Sequence, residues 1–318
     1  MTTITEIASK IKCLKSALIF SHARPDGDTI GSATALRNAL ISLGINADLV
    51  CDSPIPERFS FIDGVEYYLT PDKITKEYDG YIAVDCSVPS MFQGAYSLFA
   101  KNKNTFNIDH HVSNAKYAKY NYVYDNSSNS ENIYELIEAL GVDITEEMAN
   151  SLLLGIVTDT GNFAHSNTTE KTLKCASSLV GKDANLNYII YKMFKDQTKE
   201  RAKLYAKVIS KMSYYLEDQV AVLVISKSDI EECCAVESMT EGFIDFPMSV
   251  RGVEVAISLL EVGDKKYKIS FRSKGKVNVN EIASLYGGGG HILASGAMLC
   301  GYKEDIIDKL VYNVSQRL

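Results

Sequence analysis

Ser21-His22-Ala23-Arg24-Pro25-Asp26-Gly27-Asp28-Thr29-Ile30-Gly31-Ser32 follows the apolar run Ala17-Leu18-Ile19-Phe20 and leads into a helix-like segment at 32–43. The stretch sets one histidine and two carboxylates, His22, Asp26 and Asp28, at the end of a buried strand. Carboxylates at a strand tip are costly to bury unless a cation or a hydrogen-bond network compensates. The reading is therefore a strand, a turn and a helix, with either a metal site or an ion-pair cluster in the turn.

Working outward, short apolar runs alternate with helix-like segments over the first 190 or so residues. Residues 17–20, 47–51, 81–84 and 105–108 have strand length, and 32–43, 89–100 and 131–140 read as helices. Such alternation predicts an α/β fold, a parallel sheet with helices on both faces, whose ligands bind beyond the carboxyl ends of the strands. Three acidic tips meet that rule: Asp26 and Asp28 after the first run, Asp85 after Val84, and Asp109-His110-His111 after Ile108. A fourth, Asp159, ends the very apolar helix that begins near Leu152 and stops before Gly161.

From 185 to 213 the pattern turns charged and helical and reads as a connector. Strands at 219–225, 254–260 and 267–271, a helix at 279–285, the glycines 287–290 and a last helix at 303–318 make a smaller α/β domain. The expected division is 1–188, 189–213 and 214–318.

The chain has 33 basic and 40 acidic residues, a net charge of −7, which is a poor balance for gripping a long nucleic-acid duplex. A short or small anionic substrate remains open. The seven cysteines form no C-x-x-C pair and their number is odd, so they predict reduced thiols rather than a disulfide framework or a zinc knuckle. No apolar run approaches the ~18 residues that span a bilayer, and residues 1–15 lack a signal-peptide core. The expectation is a soluble cytoplasmic protein without membrane contact, with apolar helix faces on which a homodimer could form.

Of five histidines (22, 110, 111, 165 and 291), three stand beside aspartates at predicted strand tips and a fourth ends the glycine run. Imidazoles mixed with several carboxylates, and no C-x-x-C pair among them, suit divalent manganese, magnesium or cobalt better than structural zinc. The carboxylates are too many for one ion. Two cations about 3.5 to 4 Å apart would use them and would activate water against phosphorus. Helix capping and ion pairing are the alternative for Asp26, Asp28, Asp85 and Asp159, and capping is the first reading of Thr29 and Ser32.

In order, the opening stretch, Val84-Asp85-Cys86, Asp109-His110-His111, Asp159-Thr160-Gly161 and Gly287-Gly288-Gly289-Gly290-His291 resemble the motifs of the DHH/DHHA1 phosphoesterases, over nearly the whole chain. The resemblance is greatest to bacterial nanoRNases that are also phosphatases of 3'-phosphoadenosine 5'-phosphate. It implies that His22, Asp26 and Asp85 hold one metal ion and Asp28, Asp85, His110 and Asp159 the other, with Asp85 shared. It also implies two divalent cations, manganese first among them, with His111 behind them touching a phosphate oxygen or orienting the site, and Asp109 fixing an imidazole. Arg272 and Ser273, with Gly288, Gly289, Gly290 and His291, are then expected to grip the phosphate of a short oligoribonucleotide or small phosphorylated nucleotide. Ala164-His165 departs from the basic and aromatic residues common in the family after Asp-Thr-Gly, which bears on substrate preference rather than on the metal site. The rival activities are cyclic-di-AMP phosphodiesterase and inorganic pyrophosphatase or exopolyphosphatase, and the non-enzymatic rival is a nucleotide sensor. A sensor would be marked by a lost ligand, and none of these positions is lost.

Overall fold

The computed structural model describes residues 2–318, and the chain divides into two compact units at Asp196/Gln197. In the first unit the elements run α1 (Ile4–Ile11), β1 (Ser16–Phe20), α2 (Gly27–Ser42), β2 (Asn46–Val50), β3 (Tyr68–Leu69), β4 (Gly80–Val84), α3 (Gln93–Phe99), β5 (Thr105–Asp109), β6 (Tyr120–Val123), α4 (Asn129–Leu140), α5 (Glu146–Asp159), α6 (Glu170–Val180) and α7 (Leu186–Ile190). The six strands pair in parallel in the order β3-β2-β1-β4-β5-β6. From β1 the chain moves outward first on one side and then on the other, so the gap between the carboxyl ends of β1 and β4 is a topological switch point, where open α/β sheets bind ligands.

Alternation along the strands builds two cores. Ala17 and Ile19 with Ile82 and Val84 pack under α1, α2, α4 and α5, whereas Leu18 and Phe20 with Tyr81 and Ala83 pack under α3 and Phe92. Strands buried on both faces read as unbroken apolar runs, which is why these were legible. The expected helices on both faces of a parallel sheet are what the structure has.

α2 is buried on nearly all sides because α5 lies against its backbone. A Cβ added to Gly31 would stand 2.2 Å from the Ser151 carbonyl oxygen, and one added to Gly155 would stand 2.0 Å from Ser130 Oγ and 2.5 Å from Asp28 Oδ1. This contact fixes the distance between Asp28 on α2 and Asp159 at the end of α5. Gly31→Ala is expected to part the helices, at a cost of about 1–3 kcal/mol in stability, and to lower activity at least ten-fold; urea unfolding beside an activity assay checks both.

The second unit comprises α8 (Lys199–Ser210), β7 (Ser213–Tyr215), β8 (Val220–Ile225), α9 (Lys227–Glu232), α10 (Asp245–Ser249), β9 (Val255–Gly263), β10 (Lys266–Ser273), α11 (Val279–Ser284), β11 (Gly289–Gly290), β12 (Ala294–Cys300) and α12 (Lys303–Ser315). Its sheet has the order β11-β12-β10-β9-β8-β7, antiparallel except for the β8–β9 pair. One face packs on α11 and α12, and the other packs on α8.

One expectation changes here. The segment 189–213 is not a free connector: the chain divides at 196/197, and Leu204 and Val208 of α8 are buried with Leu223, Ile225 and Phe243 in the second unit's own core. The glycine run enters the sheet. Gly289 and Gly290 pair with Gly296 and Ser295 of β12, a strand that its small residues Ala294-Ser295-Gly296-Ala297 disguise as a loop. Among the described residues no helix is long and apolar enough to cross a membrane.

Candidate active site

Asp26 caps α2, its Oδ1 accepting the N–H groups of Asp28 (3.1 Å) and Thr29 (3.0 Å). That cap turns the chain directly after β1 and aims His22, Asp26 and Asp28 into the switch-point crevice. Asp28 is fully buried, and the amino end of α4 holds it: Asn129 N–H donates to Oδ2 (2.5 Å) and Ser130 N–H to Oδ1 (2.8 Å). Such donors suit a carboxylate that must keep one geometry.

Asp85 ends β4 with φ 54°, in the left-handed region that costs a residue with a side chain and that clusters at functional sites. Thr29 Oγ1 donates to its Oδ2 (2.8 Å), while its Oδ1 is buried without a hydrogen-bond partner. Around it stand His22 Nε2 (3.6 Å from Oδ2), His110 Nε2 (3.5 Å from Oδ1) and His111 Nδ1 (3.6 Å from Oδ1). His22 Nε2 also lies 3.7 Å from Asp26 Oδ1, and His110 Nε2 lies 3.5 Å from Asp159 Oδ2 and 3.9 Å from Asp28 Oδ2.

These separations are too long for hydrogen bonds. Two ligands each about 2.1 Å from a shared cation stand about 3 to 3.5 Å apart, close to the spacing seen. Three groups could each hold an ion: His22, Asp26 and Asp85; Asp28, His110 and Asp159; and Asp85, His110 and His111. His110 Nδ1 lies 3.1 Å from the Asn126 carbonyl, which accepts, so Nε2 is the atom turned to the carboxylates. A buried carboxylate oxygen without a donor, ringed by ligand atoms at this spacing, fits divalent cations.

Without a cation the cluster opposes its own charge. Burial and the charge of Asp85 push the Asp28 carboxyl up to about 7, and burial with Asp28 and Asp85 pushes Asp159 up to about 10. Burial disfavours the charged form of His22, yet the neighbouring carboxylates of Asp26 and Asp85 outweigh it and raise the imidazole to about 10. Asp109 is the main cause that lifts His111 to about 9, with Nδ1 2.8 Å from Asp109 Oδ1.

Asp109 points beneath the cluster, its Oδ1 engaged by His111 and its Oδ2 accepting Asn114 Nδ2 (2.5 Å), which also donates to Asn107 Oδ1 (2.7 Å). Asn114 was not visible as a site residue, because an Asn after two histidines reads only as a turn former. The helix read at 131–140 begins at Asn129, and the backbone N–H groups of Asn129 and Ser130 that hold Asp28 carry no sequence signal. Thr29 reads as a cap, but Asp26 does the capping and Thr29 orients Asp85. Thr29→Val is expected to cost 10–100-fold in cation affinity or activity, with Thr29→Ser restoring most of it; a cation titration checks this. Cys86, next to Asp85, turns the other way: it is fully buried under α3, donates to the Val84 carbonyl (3.2 Å), and burial holds its thiol well above the ordinary range. His165 Nδ1 lies 3.3 Å from the Asp159 carbonyl.

In the second unit Arg272 lines a cavity of about 570 Å³ with Lys268, Ser270 and Ser258 on the sheet floor, and its Nε donates to Asp245 Oδ1 (3.2 Å). Gly289, Gly296, Ser270 and Ser258 form one row across four strands, on the face that carries Arg272. Ser273 does not join Arg272: it faces the other core side, buried, and its Oγ accepts Gly275 N–H (3.0 Å). The N–H groups of Gly288 and His291 are spent on the carbonyls of Ala283 (3.0 Å) and Ala294 (2.7 Å). A Cβ on Gly288 would stand 2.1 Å from the Gly296 carbonyl oxygen, so close backbone packing accounts for this glycine. The exposed side chain of His291 is what the run presents to solvent.

The N-terminal domain of the DHH family matches residues 16–156, and the DHHA1 domain matches residues 238–318. The bifunctional oligoribonuclease and PAP phosphatase NrnA of Thermus thermophilus is 31% identical over 302 residues, covering 94% of this chain and 89% of that protein. The protein of the same name from Bacillus subtilis is 27% identical over 310 residues, covering 94% of each. The crystal structure of an exopolyphosphatase-related protein from Bacteroides fragilis superposes with a TM-score of 0.91 at 25% identity, covering 98% of this chain and 95% of that one. With likeness of that degree spread over nearly the full length of both partners, the chain belongs to the DHH family of phosphoesterases and carries the DHHA1 domain in its second unit.

Proposed function

We propose that the chain hydrolyses short oligoribonucleotides to mononucleotides and converts 3'-phosphoadenosine 5'-phosphate to AMP. The observation that carries the phosphoesterase chemistry is Asp85, a carboxylate in a left-handed backbone conformation with a buried, unpartnered Oδ1 in reach of three imidazoles. The choice of substrates is supported by the names of the relatives in Thermus thermophilus and Bacillus subtilis. His22, Asp26 and Asp85 would hold one divalent cation, and Asp28, Asp85, His110 and Asp159 a second. Carboxylates and imidazoles without a thiolate favour manganese, then magnesium or cobalt. When bound, such cations polarise phosphoryl oxygens and acidify water.

The chain's own residues supply the rest. Asp28 and Asp85 hold their geometry without water because both are buried, the first on the amino end of α4 and the second on Thr29. His111, kept charged by Asp109, offers a donor for a phosphoryl oxygen. In the second unit Arg272 presents a guanidinium fork, with Lys268 nearby, of the shape that suits a phosphate group. In the reaction a water oxygen bonds to phosphorus, the P–O bond to the leaving oxygen breaks, and that oxygen takes a proton.

The test is turnover by purified protein, chelated and reloaded with manganese, magnesium or cobalt, on a diribonucleotide, a five-nucleotide RNA, 3'-phosphoadenosine 5'-phosphate, cyclic-di-AMP and pyrophosphate. Fastest cleavage of the short RNAs and the phosphoadenosine, with manganese the best cation, is expected. Dominant turnover of cyclic-di-AMP or pyrophosphate would overturn the substrate assignment, and no turnover of any would revive a binding role.

A further inference from the structure

The opposite end of the N-terminal sheet carries a feature that the phosphoesterase chemistry does not use. Below the amino ends of β1, β4 and β5 lie two adjoining cavities, of about 630 and about 520 Å³, which share Lys10 and Tyr120. Lys15 lines the first and Lys116 and Lys119 the second. In a protein of net charge −7, this gathers four ammonium groups in one place.

None of the four makes a close ion pair among the described residues. Among the described residues no carboxylate lies within 4 Å of the Nζ atoms of Lys10, Lys15, Lys116 or Lys119, while ten other basic side chains of the chain do have such partners. The two carboxylates that line the cavities, Asp79 and Glu6, keep their charge, so four positive charges stand against two negative ones. Asp79 Oδ2 accepts the N–H groups of Lys15 (2.9 Å) and Ser16 (3.0 Å), and Glu6 Oε2 accepts Thr3 N–H (2.7 Å) in the capping box of α1.

Two of the lysines also converge. Lys10 Nζ lies 4.7 Å and Lys119 Nζ 5.1 Å from the centroid of the same Tyr120 ring, which packs on Phe106 at 5.1 Å. The two ammonium groups are therefore no more than about 10 Å apart, a repulsive placement that an anion between them would relieve. Lys119 and Lys10 hold the Tyr120 phenol below its usual range, a second sign of uncompensated positive charge. All four lysines are exposed, and two of them meet at one ring beside a cavity.

We propose that this end of the sheet is a second anion site, which takes a phosphate-bearing ligand between Lys10, Lys119 and the flanking Lys15 and Lys116. It is separate from the catalytic cluster by the length of β5: Phe106 lines the cavity at one end, and Asp109 touches His111 at the other, about 10 Å along the strand. One phosphate cannot serve both places. The inference rests on the lysines and the cavity alone and stands whichever substrate the catalytic site prefers.

Isothermal titration of the chelated, full-length protein at low ionic strength tests it, with AMP and inorganic pyrophosphate as probes. The wild type is expected to bind one equivalent more than the Lys10→Gln/Lys119→Gln variant does, and the Lys10→Arg/Lys119→Arg variant to bind as the wild type does. Hydrolysis by the Gln variant, reloaded with cation, stays within two-fold of wild type. Equal affinity for the probes means that phosphate alone is read, and tighter AMP means that the nucleoside also makes contact; both support the site. Absence of binding by the wild type, or undiminished binding by the Gln variant, overturns it.

Discussion

Asp85→Asn is expected to lower kcat/KM for both short RNA and 3'-phosphoadenosine 5'-phosphate by at least about 10³-fold, about 4 kcal/mol of transition-state stabilisation, with the fold intact. The reason is that Asp85 is the carboxylate common to two of the three ligand groups. Asparagine keeps the shape and tolerates the left-handed backbone at φ 54°, but it offers one neutral oxygen where two charged ones are needed. Circular dichroism should leave the variant indistinguishable from wild type, and a cation titration should lose both high-affinity sites rather than one. Loss of activity with both sites retained would remove Asp85 from its shared role.

The second large effect is in stability against pH, with and without cation. Asp28, Asp159, His22 and His111 all have folded-state values raised, to about 7, about 10, about 10 and about 9. A raised group binds its proton more tightly folded than unfolded, so its stabilisation is full below the unfolded value and is lost as pH rises through the folded one. For the carboxyls that loss begins above 3.8, and for the imidazoles above 6.5. All four act in the same direction between pH 6 and 8.5, so the chelated protein should melt at least about 5 °C lower at pH 8.5 than at pH 6. Divalent cations compete with those same protons, and their binding strengthens as pH rises. With saturating magnesium the midpoint should hold or rise over the same interval, so the gap between the two curves widens. A chelated protein more stable at pH 8.5 than at pH 6 would contradict the charge balance described.

How much of this was legible in the sequence follows from what each residue type must do. The tips Asp26, Asp85 and Asp109 were readable because a run of residues buried on both faces can end in an aspartate only where something compensates the charge. The assembly of His22, Asp28, His110 and Asp159 around Asp85 follows from the strand order, with neighbouring β1 and β4 diverging to opposite sides of the sheet. What stayed hidden is of two kinds. Roles that depend on where a side chain points were hidden: Thr29 as the donor to Asp85, Asn114 as the prop of Asp109, and Ser273 on the far face from Arg272. So was β12, whose alanine, serine and glycine look like a loop; and α8, read as helical, hid only the burial of Leu204 and Val208 in the second core behind its charged surface.

The placement of Cys86 carries a consequence for handling the protein in air. One residue from the shared carboxylate sits a sulfur that, as a thiolate, would capture soft metals and invite peroxide. Buried beneath α3 and kept protonated, it does neither. Oxidants and alkylating agents meet the exposed Cys13, Cys234 and Cys300 first. Cys13 lines the cavity at the amino ends of the strands, opposite the cluster, and thiol labelling there should leave turnover untouched.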